Sequence, residues 1–371
     1  PAQRKSRCGN LHDSFSFNTE LYRSEVPFPG PWAQLEKIGE LQKVVLYRIG
    51  VYPVQTLPAS GELRIAEKLH VRVDLVKTRN ALHPLLNRTQ RQFLHAISVN
   101  GSSLPFVSNG LESAEEMVIV TADDLRTELA PFIAWKNAKG IRTKVVGFQE
   151  VGGNKEGILK FLKEYYASQT IKPSYFLFVG NRKSLPGFME KTSSGPAASD
   201  YRYELLSGDA SIPEVFYGRF LADSAEELRT EIQRTIGYEK TSEPAEWYSK
   251  ATTIASNGCF PTCDKVSAGK VQEALKLGTY KYVDNFLEDE KTATSSNIKS
   301  ALAEGRSWVS YFGHGTGYGW ESVNDTFDQG TLQSVANPLK LPIIIDVACL
   351  NASWVNIGNC FGKSWVTHVQ G

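Results

Sequence analysis

The feature that most constrains this chain is a change of hydrophobic period at Met117. From there onward, short apolar runs take turns with segments whose apolar residues recur at helical spacing. MVIVT is followed by DDLRTELAPFIAWKNAKG, where Leu125, Leu129, Phe132, Ile133 and Trp135 fall near helical spacing and Gly140 stands as a C-cap. TKVVGF, EGILKFLKEYYAS and SYFLFVG then read as strand, helix and strand. Strands alternating with helices predict a parallel α/β sheet.

The segment from Asn181 to Ala210 reads as loop, after which VFYGRF resumes a strand and SAEELRTEIQRTIGYEK a long amphipathic helix. A second set follows a seam near Thr241 to Trp247: KATTIAS, the helix DKVSAGKVQEALKL, YKYVDNF, the helix TSSNIKSALAEG, RSWVSYFG and LKLPIIIDVAC. Upstream, LQKVVLYRIGVYPVQTLPASGELRIAEKLHVRVDLV alternates with period two on both sides of the turn sequence PASGE, which predicts a β-hairpin in a mainly β region. The expected organisation is a β-rich region over residues 1–110, an α/β subdomain over 111–243 and a second over 244–371. No short-period repeat or low-complexity tract interrupts it.

The 371 residues carry 41 Lys and Arg against 40 Asp and Glu, so a net charge of +1 offers no field for nucleic acid or an anionic membrane. No run of about 18 apolar residues predicts a membrane span. The first thirty residues lack the apolar core of a signal peptide. Since the sequence starts at Pro1 and stops soon after a well-formed pattern, it is expected to be a processed or trimmed piece. Five cysteines at positions 8, 259, 263, 349 and 360 are too few and scattered for a disulfide scaffold. Cys259 and Cys263 lack the second pair that a zinc site needs, which leaves a local disulfide or two free thiols.

Two strand ends in the second α/β set carry reactive residues. WVSYFG delivers His314, LPIIIDVA delivers Cys349, and the 35 residues from one to the other hold a loop and a short helical connection, FDQGTLQSVAN. That suffices for a crossover placing the two strands side by side, with both residues at the carboxyl ends where open α/β sheets keep their ligands. A thiol attacks a carbonyl only as thiolate, and an adjacent imidazole takes its proton. Gly313 and Gly315 on either side of His314 let a peptide backbone approach, and the N–H groups of Gly315 and Cys349 are available to a developing oxyanion. A lone strand-end cysteine is ordinarily a small buried hydrophobe, and it is the pairing of GHG with DVAC that raises catalysis above packing. The glycines of GTGYG match neither phosphate-loop spacing, which sets a nucleotide site aside.

At these residues the sequence resembles the gingipain family of caspase-like cysteine peptidases. YFGHGTGYGW matches the family's histidine motif and DVACLNAS its cysteine motif. The likeness runs through IAWKNAKGIRTKV, SYFLFVG, SDYRY, EVFYGRF, the helix ending in IGYEK, and TIAS, over roughly residues 115 to 365. It implies a caspase-like α/β fold of mostly parallel sheets flanked by helices in two tandem subdomains. It further implies His314 as general base and acid, Cys349 as nucleophile, the Gly315 and Cys349 amides as the oxyanion hole, and Trp320 lining the pocket for the side chain before the scissile bond. A tryptophan with no role beyond the surface or the core is the plain alternative for Trp320.

This chain departs from the family's arginine-specific members after TIAS. Where they carry a glutamate that orients the histidine, SNGCFPTC has Asn257, able to hold the imidazole only as an amide. Asp264 is the acid within reach of the role that holds a basic substrate side chain, and its place before KVSAGKVQEAL equally suits a helix N-cap. The β-rich region resembles the family's pro-region, which implies a zymogen with Asn87 to Arg91 or the Ser108 to Glu116 linker as processing points, or an accessory domain that stays attached. The family's chain continues with another strand and helix, so a chain ending 22 residues past Cys349 is expected to lack a sheet-edge element.

The resemblance thus predicts a secreted or cell-surface cysteine endopeptidase acting on protein or peptide substrates, with the pro-domain packed on the catalytic domain. No cofactor is required; calcium is allowed as a structural ion, with Asp209 and Glu214 offered by the loop YRYELLSGDASIPEVF, although no twelve-residue calcium loop is present. The competing expectations are a sortase-like transpeptidase of the type IX secretion system and an inactive homologue acting as a binding module.

Overall fold

The computed structural model describes residues 18–41, 44–74, 86–103, 115–192, 195–207, 212–241, 244–259, 262–337 and 339–368. The N-terminal region holds helix α1 (Thr19–Tyr22) and two antiparallel hairpins, β1 (Ala33–Leu41) with β2 (Val44–Val51), and β3 (Val54–Leu57) with β4 (Glu62–Ile65). The second hairpin turns at the expected PASG sequence, with Gly61 at φ 72°. Helix α2 (Arg88–Ile97) then docks on the first α/β unit, an element the alternation did not reveal.

That unit contains β5 (Glu115–Thr121), α3 (Ala130–Ala138), β6 (Ile141–Gly147), α4 (Lys155–Ser168), β7 (Tyr175–Val179), a hairpin of β8 (Phe188–Thr192) and β9 (Gly195–Ser199), β10 (Phe216–Phe220) and α5 (Ala225–Lys240). Strands β10, β7, β5 and β6 lie side by side in that order, all parallel. Period two assigns their side chains to two cores. Val118, Val120, Phe176 and Phe178 face α4, with Ile158 and Leu162. Met117, Ile119, Leu177 and Val179 face the other way, onto Leu129, Phe132, Leu228 and Ile232. The helix expected from Asp123 starts late: residues Asp123–Leu129 form a 3-10 turn, and Pro131 opens the α-helix at a position where its missing N–H costs nothing.

The second unit comprises β11 (Lys250–Ala255), α6 (Asp264–Leu277), β12 (Tyr282–Leu287), α7 (Ser295–Glu304), β13 (Trp308–Phe312), the small pair β14 (Gly319–Trp320) and β15 (Phe327–Asp328), α8 (Gln329–Gln333), β16 (Ile343–Val347) and α9 (Phe361–Thr367). Its strand order is β12, β11, β13, β16, again all parallel. One face is covered by an aromatic-rich core of Tyr311, Trp320, Phe327 and Phe361 with Ile298 and Leu302 of α7. On the other face α6 packs on β11, β12 and β13. Edge strand β16 leaves Ile343, Ile345 and Val347 exposed there. The fold is thus α/β, with two parallel sheets flanked by helices in tandem and a β-rich region before them.

Candidate active site

Strands β13 and β16 are neighbours in parallel register, Phe312 opposite Val347, and the Gly313 N–H donates to the Val347 carbonyl at 3.2 Å. Both therefore end on the same rim, and the chain leaves β13 at His314 and β16 at Cys349. The backbone of His314 is held on three sides. Its N–H donates to Ser322 Oγ at 2.9 Å, and its carbonyl accepts from the Tyr311 hydroxyl at 2.7 Å and the Glu321 N–H at 3.1 Å. Its ring Nε2 is buried and finds no hydrogen-bond partner among the described residues. Cys349 is exposed and free, whereas Cys360, the other free thiol described, is buried and its thiol pKa is pushed up by that burial.

The two loops touch through glycines. A Cβ on Gly315 would stand 2.5 Å from the Cys349 carbonyl oxygen and 2.5 Å from Asn351 Oδ1, and one on Gly313 would strike the Tyr311 hydroxyl. Asn351 is the fastener: its Oδ1 accepts from the Gly317 N–H at 3.2 Å, and its Nδ2 donates to Asp346 Oδ2 at 2.9 Å. Between Cys349 and Asn351, Leu350 adopts φ 64°, a left-handed conformation that strains a residue with a Cβ. Burial raises the Asp346 carboxyl above the ordinary aspartate range, countered by hydrogen bonds from Trp320 and Asn351.

Trp320 does not line an open pocket. Its side chain is fully buried, stacked at 4.8 Å on Tyr311 and 5.3 Å on Phe327, and its indole N–H donates to Asp346 Oδ2 at 3.0 Å. The apolar plane and single donor find complete satisfaction inside, so the packing alternative describes this residue.

Asn257 lies exposed at the end of β11, and its N–H donates to Glu288 Oε2 at 2.9 Å. Glu288 follows β12, so a carboxylate does reach this rim, from the neighbouring strand end. Its signal in the sequence was an acid just beyond an apolar strand. Asp264 is buried at the first helical position of α6, with Cys263 as the N-cap, and its carboxylate accepts from the Ser256 hydroxyl. Ser256 is tied to the histidine strand, its N–H donating to the Phe312 carbonyl at 2.9 Å. Cys259 and Cys263 are joined as a local disulfide in the loop between Asn257 and Asp264.

Other expected sites move. Asn87 to Arg91 opens α2, with Asn87 and Gln90 buried in a reciprocal capping box and Arg88 exposed. Most of the Ser108 to Glu116 linker lies outside the described residues, as does Asp209. Glu214 is consumed within its own loop, accepting from the N–H groups of Leu206 and Ser207 and from the Ser207 hydroxyl, which leaves little of it for a cation. Among the described residues, three or more His, Cys, Asp or Glu side chains nowhere group as a metal site. No described helix is long and apolar enough to cross a membrane.

The N-terminal region contacts the first unit through α2. Asn87 Nδ2 donates to Ser174 Oγ at 2.8 Å, and Phe93 meets Phe216 edge to face at 5.5 Å, both at the amino ends of β7 and β10.

Comparison with known proteins adds a lineage to this geometry. A family described as peptidase family C25 matches residues 111–371, and one described as propeptide C25 matches residues 8–97. Gingipain R2 of Porphyromonas gingivalis is 28% identical over 357 residues, covering 93% of this chain and 48% of the relative. Lys-gingipain W83 from the same organism is 23% identical, covering 94% of this chain and 20% of the relative. The crystal structure of the Arg-specific cysteine proteinase gingipain R superposes with a TM-score of 0.63 at 27% identity, over 70% of this chain and 60% of that one. A complex of the P. gingivalis RgpB pro- and mature domains gives 0.62 at 27%, over 69% and 60%. The chain thus spans about half, or less, of the curated relatives it matches.

Proposed function

Because the chain belongs to peptidase family C25, we propose that it is a cysteine endopeptidase with Cys349 as nucleophile and His314 as its general base and acid. The observation that carries this reading is the contact of the two loops: Gly315 lies against the Cys349 carbonyl, and Gly317 is bonded to Asn351 two residues beyond the cysteine. The Cys349 thiol is free and exposed and the His314 Nε2 has no hydrogen-bond partner among the described residues, which supports pairing them as thiolate and imidazolium.

His314 takes the thiol proton, and the sulfur attacks the peptide carbonyl carbon. The oxyanion so formed is stabilised by the N–H groups of Gly315 and Cys349. The C–N bond breaks as His314 returns the proton to the departing amine, which leaves a thioester on Cys349. Water, deprotonated by His314, then releases the acid and the free thiol. Asn257 is bonded to Glu288 beside the histidine strand, and in this reading Asp264, buried and bonded to Ser256, serves as the acid for a basic side chain before the scissile bond. The propeptide match and the docking of α2 at the far ends of the first sheet support a zymogen whose N-terminal region packs on the catalytic unit. The same kinship supports a secreted or cell-surface enzyme acting on proteins or peptides.

The test is cleavage of a peptide library by the purified protein and its Cys349→Ala variant. The expected result is cleavage after basic residues that the variant loses entirely; retained cleavage would overturn the assignment. Adding a competing amine distinguishes a transpeptidase, which would divert the thioester to amide product.

A further inference from the structure

Cys349 belongs to the second sheet, yet the loop that follows it is held by the first. Arg219 on β10 forms a bidentate ion pair with Asp200, Nε to Oδ2 and Nη2 to Oδ1, each 2.8 Å, with the two side chains 4% and 0% exposed. The Tyr217 hydroxyl completes Asp200 at 2.8 Å, and Arg219 Nη1 donates to the carbonyls of Leu185 at 3.1 Å and Gly180 at 3.3 Å. Two parallel N–H···O bonds fix the orientation of the planar guanidinium, and removing either partner would strand a buried charge. Its free face is covered by Trp354, whose ring centroid lies 4.0 Å from the guanidinium carbon. Cation–π stacking on a fixed guanidinium sets both the height and the tilt of an indole.

Trp354 lies five residues past Cys349, with no helix or strand between them. The intervening chain is a run of tight turns: Asn351 N–H to Cys349 O at 2.8 Å, Ser353 N–H to Leu350 O at 2.8 Å, and Trp354 N–H to Ala352 O at 2.9 Å. It also contains the left-handed Leu350, a conformation that persists only where its surroundings over-determine it. Asn351 fastens one side of this run to the histidine loop; Trp354 fastens the other to the first sheet, seconded by Arg182, which donates to the carbonyl of Val355 at 2.9 Å.

We propose that Trp354, seated on the Asp200–Arg219 pair, is a positioning residue for Cys349, holding its thiol and N–H in place from the opposite half of the molecule. The proposal rests on Cys349 being the nucleophile. With the clamp released, the fold stays but Leu350 relaxes and Cys349 swings off the line to His314. Substrate binding changes little and the chemical step slows.

The test uses the full chain and its Trp354→Ala, Trp354→Phe and Arg219→Lys variants. Each is measured for thermal unfolding, for kcat and KM on a peptide substrate, and for the pH dependence of Cys349 alkylation by iodoacetamide, located by mass spectrometry. The expected result for Trp354→Ala is a fall in kcat of about tenfold or more with KM within about twofold. Alkylation should shift towards the pH of an ordinary thiol. Phenylalanine, which keeps a flat face, should restore most of the rate. Lysine at 219, which loses the fork and the plane, should sit between. Unchanged kcat and alkylation in a folded Trp354→Ala variant, or a loss expressed only in KM, would overturn the proposal, as would failure of phenylalanine to rescue a folded protein. If the wild type neither cleaves peptide nor is alkylated at Cys349, the nucleophile reading itself fails, a result distinct from insensitivity to Trp354.

Discussion

The two parallel sheets share a strand count and a plan but not a finish. The first buries both faces of its central strands, with Val118, Ile119, Val120 and Phe178 wholly buried. Its strand ends supply the Arg219 clamp. The second is covered well on one face and leaves the alternate residues of β16 exposed on the other, and its strand ends carry His314 and Cys349. A scaffold half can be regular throughout, whereas a reactive half must break regularity where it presents its groups. Here the breaks are GHG after β13 and the left-handed Leu350 after Cys349.

The contrast is most easily broken in the first core. Phe178→Ala should destabilise the protein by about 3–5 kcal/mol, the cost of a large cavity in a closed interior. Chemical denaturation monitored by circular dichroism measures it, and a loss below about 1 kcal/mol would mean that the first sheet is no more rigid than the second. Gly315→Ala is the corresponding strike at the second. The new methyl group meets Cys349 O and Asn351 Oδ1 at 2.5 Å, so the loops must part and kcat should fall about 100-fold, roughly 2.7 kcal/mol, with the melting temperature little altered.

A third change probes the seam. A cavity of about 520 Å³ lies between the halves, lined by Glu231 and Arg234 of α5 and by Ile344 and Asp346 of β16. Burial, with help from Glu227, pushes the Glu231 carboxyl from 4.5 to about 8. A folded state that keeps this proton longer than the unfolded chain loses stability as pH rises from about 4.5 to about 8. Glu231→Gln should flatten that decline and stabilise the protein by about 2 kcal/mol above pH 8, read from denaturation midpoints across pH. An unaltered pH profile would place the proton elsewhere. The smallest effect is expected of Ile345→Ala on the exposed face of β16, within about 0.5 kcal/mol in the same denaturation assay. A large loss there would show that this face is covered in solution.

Much of this plan was legible in the sequence because period is a local property. The two βα sets, the PASG hairpin and the side-by-side placement of the His314 and Cys349 strands follow from short apolar runs and loop lengths. Helix α2 is also written locally, since Asn87 and Gln90 have capping-box spacing. What escaped was set by distant partners. Trp320 follows a glycine-rich loop and looks like rim, until Tyr311, Phe327 and Asp346 are brought around it. Glu288 meets Asn257 from another strand, 31 residues on, and Arg219 meets Trp354 from another sheet. No pattern within one element predicts such pairs.

The central claim is that the reactive half acts through Cys349 on a peptide carbonyl. Mass-spectrometric trapping of the protein with a peptide acyl donor at short times tests it most directly. The account predicts a thioester adduct on Cys349 that decays in water and is absent from Cys349→Ala. An adduct on another residue, or turnover undiminished in Cys349→Ala, would contradict it.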